Sequence, residues 1–319
     1  MLKSLSRRDV LKAGGLVAGA AMFGLPRPLL AAPARKRAIR VAHLTDLHIE
    51  PELHAGEGVA ACLKHVRSQA EKPDLILLGG DCIMDSFESD DARTKTQWDL
   101  FSRVFKDENS TPVEACLGNH DIWGQNKLKS KTNGTEPGWG KRRAMDQLRL
   151  EKPYHSFDKA GWHFVCLDSV MPQGDGYIGK LDGEQWEWLE SDLKATDART
   201  PILVMSHIPI LSATVIADVQ PNPEGIRELS DGLMMTDVKR FVATFLKHPN
   251  VKACISGHIH EVDRVDYQGV SYLCNGAVCG NWWKGRHKQC DEGYTMMDLF
   301  DDGTFERVYT PYGWVARKD

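Results

Sequence analysis

No stretch of this 319-residue chain is long and apolar enough to stay in a bilayer, and none is rich enough in Pro, Gly or Ser to act as a linker between domains. Internal repeats and low-complexity tracts are also missing. Eight cysteines are present, at positions 62, 82, 116, 166, 254, 274, 279 and 290, without a single Cys-x-x-Cys pair, so zinc-ribbon and thioredoxin-like readings fail. A large charge excess is lacking too. The formal net charge of -4 argues against a protein that coats nucleic acid or an anionic membrane through its overall field. What remains is a chain with 42% hydrophobic and 26% charged residues, able to bury a full core as one globular domain.

The first 34 residues differ from the rest. Ser6-Arg7-Arg8-Asp9-Val10-Leu11-Lys12 runs into an uncharged stretch at 13–25, followed by small residues at 31–34. This is the pattern of a secretory signal, and the paired arginines indicate the twin-arginine route. Residues 1–34 are thus expected to be a targeting segment recognised by the twin-arginine translocase, and residues 35–319 a single domain placed in the periplasm or secreted. That route carries proteins already folded. Export also permits disulfides. Cys116, Cys166 and Cys254 fall in apolar runs where cysteine acts as a small hydrophobe, which leaves Cys279 and Cys290, flanking a loop, as the disulfide candidates.

From Ile39 onward short apolar runs alternate with amphipathic segments: strand-like 39–45, helix-like 57–71, strand-like 74–79, helix-like 92–106, strand-like 113–117. Strands follow near 154–158, 162–168, 201–206 and 251–256, with helices near 183–194 and 236–247. This βαβ rhythm predicts an α/β fold with a largely parallel sheet, and places ligand-binding groups just beyond the strand C-termini. After Val262 the pattern turns to hairpins, with turns at Gln268-Gly269 and Asp302-Gly303. The stretch 122–143, with four glycines and many lysines, predicts a long loop.

Five short clusters sit at the predicted strand ends: Asp46-Leu47-His48, Gly80-Asp81, Gly118-Asn119-His120-Asp121, Ser206-His207 and Gly257-His258-Ile259-His260. Adjacent parallel strands bring such ends together, so these side chains converge on one pocket. In Asp-x-His and His-x-His the two-residue period of an extended chain would point both side chains to one side. Gly80, Gly118 and Gly257 would allow sharp turns and leave room for metals. Mixed imidazole, carboxylate and amide ligands with a shared carboxylate suit two first-row cations roughly 3.5–4 Å apart. Seven further histidines, at 43, 54, 65, 155, 163, 248 and 287, fall outside these clusters and read as ordinary structural residues.

Asp-x-His, Gly-Asp, Gly-Asn-His-Asp, His and Gly-His-x-His, in this order from Ile39 to His260, resemble the pattern of the calcineurin-like metallophosphoesterase superfamily. The resemblance implies a four-layer α/β/β/α sandwich of two mixed sheets. It implies one metal on Asp46, His48, Asp81 and His260, and a second on Asp81, Asn119, His207 and His258, with Asp81 as the bridge. Manganese, iron and zinc are the candidate ions. A hydroxide on the cations would attack phosphorus in line, and unligated His120 would protonate the leaving alkoxide, its ring oriented by Asp121 or Asp85. The substrate would be a small phosphoester.

The sequence departs from two branches of that superfamily. Serine/threonine protein phosphatases carry Gly-Asp-x-x-Asp-Arg-Gly and Gly-Asn-His-Glu, whereas this chain has Asp85-Ser86 and Asp121. Purple acid phosphatases place an iron-binding tyrosine where this chain has Met84. The chain is more similar to bacterial secreted phosphohydrolases and to cyclic-nucleotide and glycerophosphodiester phosphodiesterases, with phosphomonoester and phosphodiester substrates both open. Its rivals are a nuclease, for which no extended basic surface is present, and a non-catalytic metal-binding scaffold, which loss of ligands would mark. Candidate substrate contacts are the basic loop with Lys127, Lys129, Lys131, Lys141, Arg142 and Arg143, and the tryptophans Trp282 and Trp283, with Trp123 and Trp139.

Overall fold

The computed structural model describes residues 35–317; the segment read above as a targeting signal lies outside the described residues. In chain order the elements are β1 (Arg37–Leu44), α1 (Ala55–Ser68), β2 (Leu75–Leu78), α2 (Asp91–Glu108), β3 (Val113–Ala115), a 3-10 turn (Asn119–Asp121), α3 (Lys127–Ser130), α4 (Arg142–Leu148), β4 (His155–Lys159), β5 (Trp162–Cys166), β6 (Val170–Gln173), β7 (Gly176–Gly179), α5 (Gly183–Ala195), β8 (Ile202–Met205), α6 (Ala213–Asp218), α7 (Val238–Phe245), β9 (Val251–Ser256), β10 (Val262–Tyr267), β11 (Val270–Asn275), β12 (Gly293–Phe300) and β13 (Phe305–Pro311). No helix among the described residues is long and apolar enough to cross a membrane.

The strands form a five-stranded sheet, β13-β12-β1-β2-β3, and a six-stranded sheet, β10-β11-β9-β8-β5-β4, with β6 and β7 as a separate hairpin. Both sheets are mixed. In the first, β1, β2 and β3 run parallel while β12 and β13 are antiparallel additions. In the second, β5, β8, β9 and β11 run parallel between antiparallel β4 and β10.

The two-residue period of the strands explains the layering. On β1 and β2, Val41, Leu75 and Leu77 pack across to Phe164, Leu203 and Ile255 of the second sheet. The alternate residues Ala42, Leu44, Ile76 and Leu78 pack against Val59, Leu63 and Trp98 of α1 and α2. On the far side Val165, Ile202 and Val204 meet Trp186 and Leu189 of α5 and Phe241 of α7. Three apolar interfaces therefore separate four layers, α/β/β/α. Strands buried on both faces read as continuous apolar runs, which is why Leu75–Leu78 and Ile202–Met205 stand out in the sequence.

Three expectations need correction. The stretch 122–143 is not featureless: it contains α3 and the start of α4, and is closed by mutual hydrogen bonds between Trp123 and Gly140, both 2.9 Å. The tail is not wholly antiparallel, because β11 pairs in parallel with β9. Cys279 and Cys290 are not joined, and all eight cysteines are free. Each sulfur is occupied elsewhere: Cys279 lies against the Gly280 carbonyl and His260, and Cys290 accepts a hydrogen bond from the Val262 N–H at 3.2 Å.

Candidate active site

Every cluster named in the sequence lies just past the C-terminal end of a parallel strand. Asp46 and His48 follow β1, Asp81 follows β2, and Asn119 and His120 follow β3, all from the first sheet. His207 follows β8, and His258 and His260 follow β9, from the second. The site is thus a seam between the two sheets. Cross-sheet hydrogen bonds close it: the His258 N–H donates to both carboxylate oxygens of Asp46 at 3.1 and 3.0 Å, and His207 Nδ1–H donates to the Gly79 carbonyl at 2.8 Å.

The turns that carry these residues are not extended, contrary to the expected strand-like period. Asp46, His48, Asp81, His258 and His260 have φ of 54°, 42°, 51°, 72° and 54°, in the left-handed region. That conformation costs a residue with a Cβ about 1–2 kcal/mol, and is kept where the surroundings over-determine it. Here the Asp46 and His48 N–H groups are tied to the Gly80 and Asp81 carbonyls at 3.1 and 3.0 Å. Close approach explains two glycines. A Cβ on Gly257 would lie 1.9 Å from Thr45 Oγ1 and 2.2 Å from Asp46 Oδ2, and one on Gly118 would lie 2.1 Å from Asp81 Oδ1.

Four imidazoles share one arrangement. One ring nitrogen of each is held by a backbone carbonyl: His48 Nδ1 by Met84 at 3.4 Å, His207 Nδ1 by Gly79, His258 Nε2 by Gly232 at 2.9 Å, and His260 Nδ1 by Gly280 at 2.6 Å. The other nitrogen of each points inward at its neighbours. Asp81 Oδ2 lies 3.5 Å from His48 Nε2 and 3.1 Å from His207 Nε2, so one carboxylate oxygen is common to both halves of the cluster. His207 Nε2 is 3.1 Å from Asn119 Oδ1 and 3.2 Å from His258 Nδ1. Burial would raise the Asp81 carboxyl, but His207, His120 and His48 around it hold it well below the usual carboxylate range. An imidazole fixed by its far nitrogen to a carbonyl is how a ligating histidine is oriented, and hard carboxylate beside borderline imidazole is a donor set for first-row divalent cations. The residues present fit such ions.

The calcineurin-like phosphoesterase family matches residues 39–262. The chain belongs to that family. It is a phosphoric ester hydrolase of a dimetal-dependent class, and its His/Asp cluster supplies the candidate ligands. It is 26% identical over 297 residues to a 3',5'-cyclic-nucleotide phosphodiesterase of Nostoc, covering 87% of this chain and 94% of that one. To the 3',5'-cyclic adenosine monophosphate phosphodiesterase of Escherichia coli it is 24% identical over 284 residues, covering 83% and 87%. The fold is shared with a dimetal phosphatase from Danio rerio, with TM-score 0.55 and 14% identity over 87% of this chain and all of that one.

His120 stands apart from the anchored rings of this phosphoesterase. Its imidazole is partly exposed, 4.7 Å edge-on from that of His48, and its Nδ1 lies 3.6 Å from Asp85 Oδ1. Burial would lower its pKa, but Asp81 and Asp85 raise it above the ordinary value. Of the two expected orienting carboxylates, geometry brings only Asp85 to the ring. Asp121 instead accepts the N–H groups of Gly118, Asp81 and Cys82 at 2.8, 2.9 and 2.8 Å, stitching two strand-end loops together.

The basic loop does not reach the site. Lys129 pairs with Glu88 at 2.7 Å, Lys131 with Asp90 at 3.1 Å, Arg142 with Asp146 at 3.0 Å, Lys141 with Asp168 and Arg143 with Asp91, while the Lys127 ammonium lies 5.3 Å above the Trp139 ring. Its tryptophans serve the loop itself, the indole N–H groups of Trp123 and Trp139 donating to the Ser89 and Gly124 carbonyls. Trp283 is fully buried, its indole N–H donating to the His48 carbonyl at 2.9 Å, so it offers no stacking face. Trp282 does border the site. Its half-buried ring lies 4.4 Å from that of His260 and 5.9 Å from that of His48.

Sequence reasoning missed the walls. Beside His120 and Asn119 opens a cavity of about 470 Å³, bounded by Phe87, by Tyr177 on the β6–β7 hairpin, and by Ser230, Gly232 and Leu233. No local signal marks these residues. They reach the site only because the hairpin and the 230–233 segment fold over the strand ends, where the Gly232 carbonyl also anchors His258.

Proposed function

We propose that this enzyme is a dinuclear phosphodiesterase acting on small diesters of the 3',5'-cyclic-nucleotide type. The observation that carries the reading is the set of four inward-pointing imidazoles, each anchored by its other nitrogen, arranged around the shared Asp81 carboxylate with His120 left unanchored at the cavity edge. Asp46, His48, Asp81 and His260 would hold one cation, and Asp81, Asn119, His207 and His258 the other, with manganese, iron or zinc suited to the donors. When bound, the cations supply activated water and neutralise phosphoryl oxygens. The chain's own residues do the rest. His120 faces the cavity and donates a proton to the departing oxygen, and Asp85 beside Nδ1 keeps the ring charged and turned toward it. The diester preference is supported by relatives named as cyclic-nucleotide phosphodiesterases, which align over most of both chains.

Reconstitution with Mn²⁺, Zn²⁺ or Fe²⁺ and assay on 3',5'-cyclic AMP, bis-p-nitrophenyl phosphate and p-nitrophenyl phosphate tests the reading. Turnover of both diesters above the monoester is expected. Failure on both diesters with every metal overturns it.

We also propose that residues 1–34 direct the folded catalytic domain, 35–319, through the twin-arginine translocase to the periplasm or beyond. Arg7-Arg8 and the uncharged run at 13–25 support this. Replacing both arginines with lysine should trap the protein in the cytoplasmic fraction; unchanged export would refute the route.

A further inference from the structure

The two carboxylates of the cluster are tied down in different ways. Asp81 Oδ1 accepts the His120 N–H at 2.8 Å, and its Oδ2 faces the rings of His48 and His207, so the backbone decides which oxygen is left for a cation. At Asp46 the backbone makes no such choice, because the His258 N–H is shared between Oδ1 and Oδ2 at nearly equal distances. A side chain makes it. The Thr45 hydroxyl donates to Oδ2 at 2.7 Å, while Oδ1 lies 3.3 Å from His260 Nε2 and 3.9 Å from His48 Nε2, on the side where the ring nitrogens converge. A carboxylate can only accept, so the hydroxyl proton is committed to it.

Thr45 is built into this position. It is buried, and its backbone carbonyl accepts the Val278 N–H at 2.9 Å. A Cβ on Gly79 would lie 2.6 Å from the Thr45 Oγ1, and one on Gly257 only 1.9 Å from it, so two glycines, one at a strand end of each sheet, leave the slot that the hydroxyl fills. Among the described residues this hydroxyl makes no other hydrogen bond, and its single bond goes to a candidate ligand. We propose that Thr45 is a positioning residue of the dinuclear centre, whose hydroxyl occupies Asp46 Oδ2 and leaves Oδ1 as the one oxygen offered to a cation. The inference rests on the reading of Asp46 as a ligand in the proposed function and adds the group that orients it. A carboxylate that binds through both oxygens takes two places around a cation; held to one, it leaves a place for water or a phosphoryl oxygen.

Thr45→Val removes the hydroxyl and nearly keeps the shape, whereas Thr45→Ser keeps the hydroxyl and removes the methyl. Full-length wild type and both variants are stripped of metal and titrated with Co²⁺, whose visible bands report the number and arrangement of its ligands. For Thr45→Val, Co²⁺ affinity should fall about tenfold or more and the bands at saturation should change, while Thr45→Ser stays near wild type in both. Lost packing alone would lower Tm without moving the bands. If Thr45→Val does not fold, Thr45→Ala compared with Thr45→Ser isolates the same hydroxyl. Wild-type affinity and bands without the hydroxyl, or equal losses with and without it, overturn the role of Thr45 and leave the dinuclear reading standing. A wild-type protein that binds no Co²⁺ overturns both.

Discussion

The Nε2 atoms of His48 and His260 lie 3.2 Å apart while the opposite nitrogens of the two rings are held by the Met84 and Gly280 carbonyls. With the outer nitrogens donating, the inner ones present facing lone pairs, which only a proton or a cation relieves. Both rings are almost wholly buried, so water cannot screen them.

Chelation therefore removes stability as well as activity. A ligand at a hundred times its dissociation constant stabilises a fold by about 2.7 kcal/mol. Melting of the protein with and without EDTA should show a clear drop in Tm on chelation, reversed by adding Mn²⁺ or Zn²⁺. An identical Tm would mean that the cluster needs no cation.

His120 is predicted to matter for turnover and not for metal retention, since it alone among the clustered histidines has no carbonyl anchor. His120→Asn should lower kcat by about 10²–10⁴. Metal content measured by elemental analysis should stay at the wild-type level, and a variant that comes off the column empty would place His120 among the ligands.

Gly257→Ala tests close approach. Its methyl would collide with Thr45 Oγ1 and Asp46 Oδ2, forcing the Asp46 carboxylate out of place. Circular dichroism should remain native-like while metal affinity falls at least tenfold, as when a supporting contact of a ligand is lost. Unchanged affinity would show that the seam yields without disturbing Asp46.

His163 predicts a pH effect far from the site. Its ring is nearly buried between Asp158 Oδ1 at 2.8 Å and Asp192 Oδ2 at 2.9 Å; burial would lower its pKa, but the two carboxylates raise it above the ordinary 6.5. The raised value means the folded state holds the proton more tightly. This contribution is complete below about pH 6.5 and disappears as pH rises through the folded-state pKa. Urea unfolding of wild type and His163→Gln should thus differ more at pH 5.5 than at pH 9. A difference that grows with pH would contradict the sign.

The sequence showed the strand ends well because each is a short apolar run stopped by a polar cluster, as at Leu75–Leu78 before Gly80-Asp81. Order and layer followed from the same runs. What it hid depends on distant partners. Lys129, Lys131 and Arg143 looked like a substrate clamp because Glu88, Asp90 and Asp91, which neutralise them, lie about forty to fifty positions away in sequence. Trp283 looked available because nothing local tells that its indole fills the space over Gly58 and bonds the His48 carbonyl. The left-handed turns at Asp46 and His260 were concealed for another reason, since residues with a Cβ do not advertise positive φ.

Because Asp46, Asp81 and Asn119 ride on one sheet and His207, His258 and His260 on the other, the catalytic geometry gauges interlayer alignment. Shortening Leu77 or Phe164, deep between the sheets, would loosen the contact that holds the two slabs in line, and turnover would register the slip together with the loss of stability.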